Sequence, residues 1–387
     1  MMTIQLMNKI AGVGTDIFDK SLYAVTDKAD SPVAMMVRSA SLHEIAFGEQ
    51  LLAIARCGAG VNNIPVDQCA EQGIVVFNTP GANANGVKEL AVAALILAAR
   101  DIVGGIEWVH TLKGQTGIAA AVEKGKGAFV GNELMGRTLG VIGLGAIGGM
   151  VANAAVGLGM NVLGCDPYIT VKAAWGLSRA VDRAQSYEQL YQSADYLSLH
   201  VPATDDTRHM INKAAIAQMK DGVRIINLSR ADLVNLADMK EALAVGKVAA
   251  YITDFPTDES VGVKGIVNIP HLGASTAESE DNCAVMAAMQ LDDYLRYGNI
   301  KNSVNFPNVE LPPSKFPRLG VMHKNIPNML SHITSMISAA NINIEHLANG
   351  SKGEYAYTLI DIDRPITDEL KGQIENRAGM IKIRVIL

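Results

Sequence analysis

The sequence predicts an α/β protein: two doubly wound parallel-sheet domains followed by a C-terminal ferredoxin-like βαββαβ plait. Three observations predict it. Short apolar runs alternate with amphipathic stretches over the first three quarters of the chain, a glycine turn joins a strand pattern to a helix pattern in "LGVIGLGAIGG", and the proline-rich "NFPNVELPPSKFP" precedes the last elements. At 387 residues the chain exceeds one ordinary core, so several domains are expected.

The elements follow in order. "SPVAMMVRS", "LLAIARCGAG" and "GIVVFNTPG" read as strands that end in turn residues, as in βα units. A helix is expected from about Val87 to Ile102. "RTLGVIGLGAIGGMVANAAVGLGMNVLGCDPY" then supplies a strand, a glycine turn, a helix and a second strand. Further strands are read at "ADYLSLHVP", "VRIINLS", "VAAYITDF" and "GIVNIP", and a long helix from about Glu280 to Tyr297 closes this part. Pro307, Pro312, Pro313 and Pro317 crowd together, which predicts an extended linker over 307–316. Beyond it, "RLGVMHK", a helix from Pro327, "INIEHLA", "EYAYTLIDI", a short helix near Asp368 and "MIKIRVIL" give the plait, 317–387. The first domain is expected to be discontinuous and flavodoxin-like, 1–79 with 282–306, and the second to span 80–281.

Composition excludes several classes. Nearly half the residues are apolar and about a fifth charged, so extensive disorder is not expected. A net charge of -6 with no Lys/Arg cluster argues against nucleic acid or an anionic membrane as partner. Cys57, Cys69, Cys165 and Cys283 are scattered, which suggests reduced buried thiols and neither a metal site nor a disulfide framework. The start lacks a basic segment followed by a long apolar one, and "ELAVAALILAARDI" is closed by Arg100 and Asp101 short of a membrane span. A cytoplasmic protein is expected.

Gly143, Gly145 and Gly148 form G-x-G-x-x-G between a strand and a helix, with Ala146 and Ile147 opening that helix. The first glycine permits the tight turn, the second lets the backbone approach a pyrophosphate, and the third allows close helix–strand packing. Asp166 ends the next strand about 20 residues on, where a carboxylate binds ribose hydroxyls and opposes a 2'-phosphate. The reading is a Rossmann-like site for NAD rather than NADP.

With "INLSRADLV", "TDFPTDES" and "IPHLGAST" in that order, the chain resembles the D-isomer-specific 2-hydroxyacid dehydrogenases from about Arg38 to Arg384. "RCGAGVNNIPVD", "PHLGAST" and a C-terminal module similar to an ACT domain narrow the resemblance to the phosphoglycerate-oxidising branch. The resemblance implies a histidine base at His271, an arginine clamp at Arg230 and an acid that orients the histidine. Removing hydride from C2 of a hydroxy acid requires such a base, a cation for the carboxylate, and a partner for the imidazole. The family's D-V-F-x-x-E-P run is altered here to Asp254-Phe255-Pro256-Thr257-Asp258-Glu259-Ser260. Aligning on Phe-Pro-Thr selects Asp258; the interval from Asp254 selects Glu259, which is preferred because it keeps Asp254 as a nicotinamide contact.

The resemblance also implies cofactor contacts from His200, Val201, Pro202, Leu228, Ser229, Arg230, Asp254, His271, Gly273 and Ala274. It implies substrate contacts from Arg38 and Ser39, matching the family's phosphate pair, from the Gly58-Ala59-Gly60 backbone, and from Asn83. Lys124 and Lys126 stand either as added charge for a phosphate or as solvated loop lysines. In the last module His323, Asn325 and Asn343 fall where ACT domains bind serine, whereas Asn328 replaces the usual glycine; a purely structural, dimerising plait is the alternative. The implied activity is NAD-dependent oxidation of a phosphorylated D-2-hydroxy acid by a homodimer or homotetramer. The rivals are another D-2-hydroxyacid dehydrogenase or glyoxylate/hydroxypyruvate reductase, and an NAD-sensing corepressor on the same fold.

Overall fold

The computed structural model describes residues 1–386. They form two compact units, 83–279 and the remainder, 1–82 with 280 onward.

In the first unit the strands β1 (Met2–Leu6), β2 (Tyr23–Thr26), β3 (Ala34–Val37), β4 (Ala53–Arg56) and β5 (Val75–Phe77) form a parallel sheet of order β2-β1-β3-β4-β5. This is the flavodoxin-like order expected from the sequence, and it turns the carboxyl ends of β3 and β4 into a common rim. Every residue of β3 is buried, as a strand covered on both faces requires.

The second unit holds β6 (Thr138–Ile142), β7 (Asn161–Cys165), β8 (Val181–Arg183), β9 (Tyr196–Leu199), β10 (Val223–Asn227), β11 (Val248–Thr253) and β12 (Ile266–Asn268) in one parallel sheet. Its order, β12-β11-β10-β9-β6-β7-β8, reverses at β6, which is the topological switch point of a doubly wound fold. The helix expected from Val87 runs Ala84–Ala99 instead, because Arg100 is extended (φ -139°, ψ 143°). Asp101 then starts a separate helix, Ile102–Thr111, by accepting from the Gly104 amide at 3.0 Å.

The last strands, β13 (Arg318–Lys324), β14 (Ile344–Lys352), β15 (Tyr355–Ile362) and β16 (Met380–Ile386), form an antiparallel sheet of order β14-β15-β13-β16. With helices Met329–Ala339 and Asp368–Glu375 this is the predicted plait. Asn328, which replaces glycine at the helix start, has φ 67°, a left-handed conformation that asparagine tolerates better than most residues.

The segment expected as an extended linker, 307–316, holds no helix or named strand and is exposed at Pro312–Lys315, but its start and the plait beyond it are packed. Phe306 and Val309 are buried, and Ile300 pairs with Val309 in an antiparallel bridge. One face of the plait, through Met322, Tyr357, Leu359 and Ile386, shares a core with Phe77, Leu291 and Tyr294. Arg318, bound to Asp361 at 2.6 and 3.1 Å, donates to the carbonyls of Tyr297 and Pro312. Arg384 donates to those of Tyr294 and Leu295, and the Tyr357 hydroxyl to that of Gly298. These donors satisfy carbonyls at the end of the long helix Ala277–Tyr297. The proline segment thus runs from a packed start at Phe306 and Val309, through the exposed Pro312–Lys315 stretch, into a plait that shares a core with the first sheet.

Candidate active site

The glycine turn is built as its sequence requires. Gly143 has φ 86°, and a Cβ there would lie 2.5 Å from the His200 carbonyl oxygen. At Gly148 a Cβ would meet the Gly143 carbonyl at 1.9 Å, whereas nothing lies within 4 Å of one at Gly145. The middle glycine therefore leaves open the start of the Ala146–Gly157 helix, whose first N–H groups have no intrahelical acceptor. Asp166 accepts from the Leu144 amide at 2.9 Å and the Tyr168 amide at 2.9 Å. Each of its oxygens keeps a lone pair for a ribose hydroxyl. Beside it lies a cavity of about 480 Å³, lined by Leu144, Asp166, Pro167, Ile169, Leu177 and Arg183 among others. This donor set and the open helix start fit the pyrophosphate and ribose of a dinucleotide.

His200 packs under the turn. Its Nε2 lies 2.9 Å from the Ser198 hydroxyl, and burial lowers its pKa to about 4, so it is neutral at ordinary pH. Val201 and Pro202 continue along the same strand end. At the end of β10, the Asn227 amide donates to the Arg230 carbonyl at 2.9 Å and the Ser229 hydroxyl to the Leu199 carbonyl at 2.6 Å. This fixes the Leu228-Ser229-Arg230 turn. The exposed Arg230 guanidinium bends back to the Ser229 carbonyl at 2.6 Å, with no carboxylate partner among the described residues.

Asp254 follows β11, and His271 follows β12, the neighbouring strand. His271 Nδ1 lies 3.7 Å from Asp254 Oδ2, and the imidazole meets the Phe255 ring edge-on at 5.0 Å. The histidine is exposed, while Asp254 is only 1% exposed. Its Oδ1 has no hydrogen-bond partner among the described residues. Burial raises the Asp254 carboxyl above its usual range, opposed by the charge of His271, the Gly273 amide and Arg230. Gly273 is buried against Val87 and Asp254, and Ala274 follows it half-buried.

The preferred acid, Glu259, is not beside the histidine. It is exposed and faces Lys240 at 3.8 Å. Asp258 is also exposed. The cause is Ser260, which is turned inward by hydrogen bonds to the Thr257 amide at 2.8 Å and to Asn268 Oδ1 at 2.9 Å, so its neighbour points outward. The carboxylate that meets His271 is Asp254.

In the first unit, the amides of Ala59 and Gly60 donate no hydrogen bond among the described residues, while the Ala59 carbonyl accepts from Asn78 at 2.7 Å. Arg38 leaves the end of β3 and pairs with Glu280 at 2.6 Å; Ser39 is exposed. Sequence reasoning missed Arg56 at the end of β4. Its Nε is buried without a partner, and its Nη1 would lie 1.3 Å from a Cβ on Gly58. A charge closing the apolar run "LLAIAR" was the available signal. Asn83, half-buried, precedes the Ala84–Ala99 helix of the second unit without capping it through its side chain. Lys124 and Lys126 are exposed, and Lys126 is paired with Glu123 at 2.5 Å.

His323, expected as an effector contact, is buried. It is 3% exposed, its Nδ1 meets the Lys324 carbonyl at 2.8 Å and its Nε2 the Thr358 hydroxyl at 3.2 Å. Asn325 and Asn343 are exposed and bonded to the Gly353 carbonyl and to Glu345, respectively.

Residues 92–276 match the family model described as "D-isomer specific 2-hydroxyacid dehydrogenase, NAD binding domain". D-3-phosphoglycerate dehydrogenase of Methanocaldococcus jannaschii is 32% identical over 358 residues, 90% of this chain and 65% of that relative. The chain thus spans just under two thirds of that protein's length. Hydroxypyruvate reductase of Thermotoga maritima is 38% identical over 261 residues, 64% of this chain and 79% of the relative. Among solved structures, NAD+-bound 3-phosphoglycerate dehydrogenase of Entamoeba histolytica superposes with a TM-score of 0.61 at 27% identity, covering 79% of this chain and 98% of that one.

Proposed function

Because the chain belongs to the D-isomer-specific 2-hydroxyacid dehydrogenase family, NAD-dependent enzymes, we propose that it oxidises 3-phospho-D-glycerate to 3-phosphooxypyruvate, the first step of L-serine biosynthesis. The observation that carries the reading is the His271–Asp254 pair on adjacent strand ends, with Arg230, which has no carboxylate partner among the described residues, on the next strand over. Bound NAD supplies the acceptor for the hydride leaving C2.

His271 has Nδ1 turned to Asp254, which leaves Nε2 to take the C2 hydroxyl proton. As the ring becomes charged, the buried Asp254 carboxylate stabilises it and holds its plane. Arg230 swings from the Ser229 carbonyl to the substrate carboxylate, where it also stabilises charge on the developing carbonyl. Arg38 and Ser39 take the phosphate, and the free Ala59 and Gly60 amides a second anionic oxygen. Arg56 adds positive charge at that rim.

A homo-oligomer is supported by the Ile102–Thr111 helix, which has no buried residue although it carries Ile106 and Val109; with Trp108 and Phe129 they line an apolar groove. Among the described residues no helix is long and apolar enough to cross a membrane. Burial pushes the Cys57 and Cys69 thiols up to about 12, which makes both unreactive at ordinary pH. Asn325 and Asn343 remain candidates to meet an amino-acid effector such as serine.

The test is kcat/KM for 3-phosphoglycerate, glycerate, lactate and 2-hydroxyglutarate, each with NAD and NADP. The expected result is a preference for 3-phosphoglycerate with NAD; equal use of NADP would overturn the role of Asp166. A second reading, reduction of hydroxypyruvate or glyoxylate, is favoured by one observation: the Arg38 guanidinium already holds a carboxylate.

A further inference from the structure

The rim of the first sheet carries its own oxygen ligands. Asn8 Oδ1 accepts the backbone amides of Arg38, Ser39 and Ala40, each at 3.0 Å. Three successive N–H groups converging on one point form the kind of concavity that binds an anion, and here a neutral side-chain oxygen fills it. The remaining cation at this strand end, the Arg38 guanidinium, lies 2.6 Å from Glu280. Both side chains are 42% exposed, so water reaches the pair and its partners exchange readily.

We propose that Glu280 is a specificity-determining residue: an internal anion that a phosphorylated substrate must displace from Arg38. The inference rests on the phosphoglycerate reading above. A phosphate monoester carries about -1.5 to -2 charge near neutral pH. With Glu280 in place its dianion meets a guanidinium already neutralised and a carboxylate at close range, and the amides that might have compensated are held by Asn8. A substrate whose distal group is a hydroxyl meets no such repulsion and can bond to Glu280 directly. Glu280 therefore shifts selectivity toward unphosphorylated 2-hydroxy acids by the difference between those two encounters.

The experiment is steady-state kinetics of the full chain with NAD, comparing wild type, Glu280→Gln, Arg38→Ala and the double variant on 3-phosphoglycerate and on glycerate. Glutamine keeps the size and a hydrogen bond while removing the charge. The expected result is that Glu280→Gln lowers KM for 3-phosphoglycerate by about three- to tenfold, with kcat changed less than KM, and raises the ratio of kcat/KM for 3-phosphoglycerate to glycerate by a similar factor. In the Arg38→Ala background the same substitution should produce much less of this change. A ratio that does not move, or that moves equally without Arg38, overturns the role of Glu280. A wild-type chain that uses glycerate at least as well as 3-phosphoglycerate overturns the phosphoglycerate reading alone, because the gain in phosphorylated substrate on Glu280→Gln is still measurable.

Discussion

At the scale of single residues, the chemistry turns on which carboxylate faces the histidine. His271→Gln removes the proton acceptor and should lower turnover by a factor on the order of 10²–10⁴ while NAD binding, followed by fluorescence titration, persists. Asp254→Asn should lower kcat by about 10² or more, and Glu259→Gln, which only loses an exposed contact to Lys240, by less than about threefold. A large effect of Glu259→Gln with an active Asp254→Asn would reverse that assignment. The motif made His271 and Arg230 legible because their neighbours are distinctive. The acid was not legible, since the run Asp254–Glu259 holds three carboxylates, both ends included, and the inward turn of Ser260 is what sends Glu259 to solvent. Glu280 and Asn8 were equally hidden: their partners lie far away in the chain. A buried histidine sets a pH limit. His200 has its pKa lowered from 6.5 to about 4, so the folded state favours its neutral form. That stability is complete above about pH 6.5 and is lost as pH falls toward about 4, on the order of 3 kcal/mol in all. Denaturant unfolding across that range should show the decline in wild type and a flatter profile in His200→Gln.

At the scale of elements, the strands and the glycine turn followed from apolar runs and turn residues, because a strand buried on both faces has few other compositions available. The helix from Ala84 was misplaced at both ends, since propensity does not register that Arg100 adopts an extended conformation. The end of the long helix Ala277–Tyr297 was read at Tyr297, where it lies, but not how its carbonyls are satisfied: the donors Arg318, Tyr357 and Arg384 are far along the chain. Arg318 and Asp361 are both almost fully buried. Arg318→Ala leaves a carboxylate without its main partner and should cost roughly 3–5 kcal/mol, measured by denaturant unfolding. Replacing both residues by apolar ones of similar size should cost far less. Equal losses in the two variants would mean that the packing of the arginine stem, not the charge, holds this junction.

At the scale of the whole molecule, sequence reading recovered both parallel sheets and the plait but not how the plait is attached. Clustered prolines suggest a spacer, and nothing in "NFPNVELPPSKFP" announces that Phe306 and Val309 are core residues. A removable regulatory module would leave the rest folded when cut away. Here removal of residues beyond 316 would uncover Phe306, Leu291 and Tyr294. A chain ending at residue 316 should therefore lose its cooperative thermal transition or aggregate, whereas a soluble protein with an unchanged midpoint would show that the shared core is dispensable.

The same shared core sets an order in time. Ile4, Met36 and Phe77 are made early, yet Leu291, Tyr294, Tyr357 and Ile386, which complete their surroundings, leave the ribosome only after the whole of Asn83–Ser279 has been made. At roughly 5–20 residues per second, the delay is on the order of 10–40 s. The middle unit, whose sheet needs nothing from either end, can fold during that interval. The five opening strands are all present by then, but the sheet they form lacks the cover of Leu291, Tyr294, Tyr357 and Ile386 until the last quarter of the chain is made.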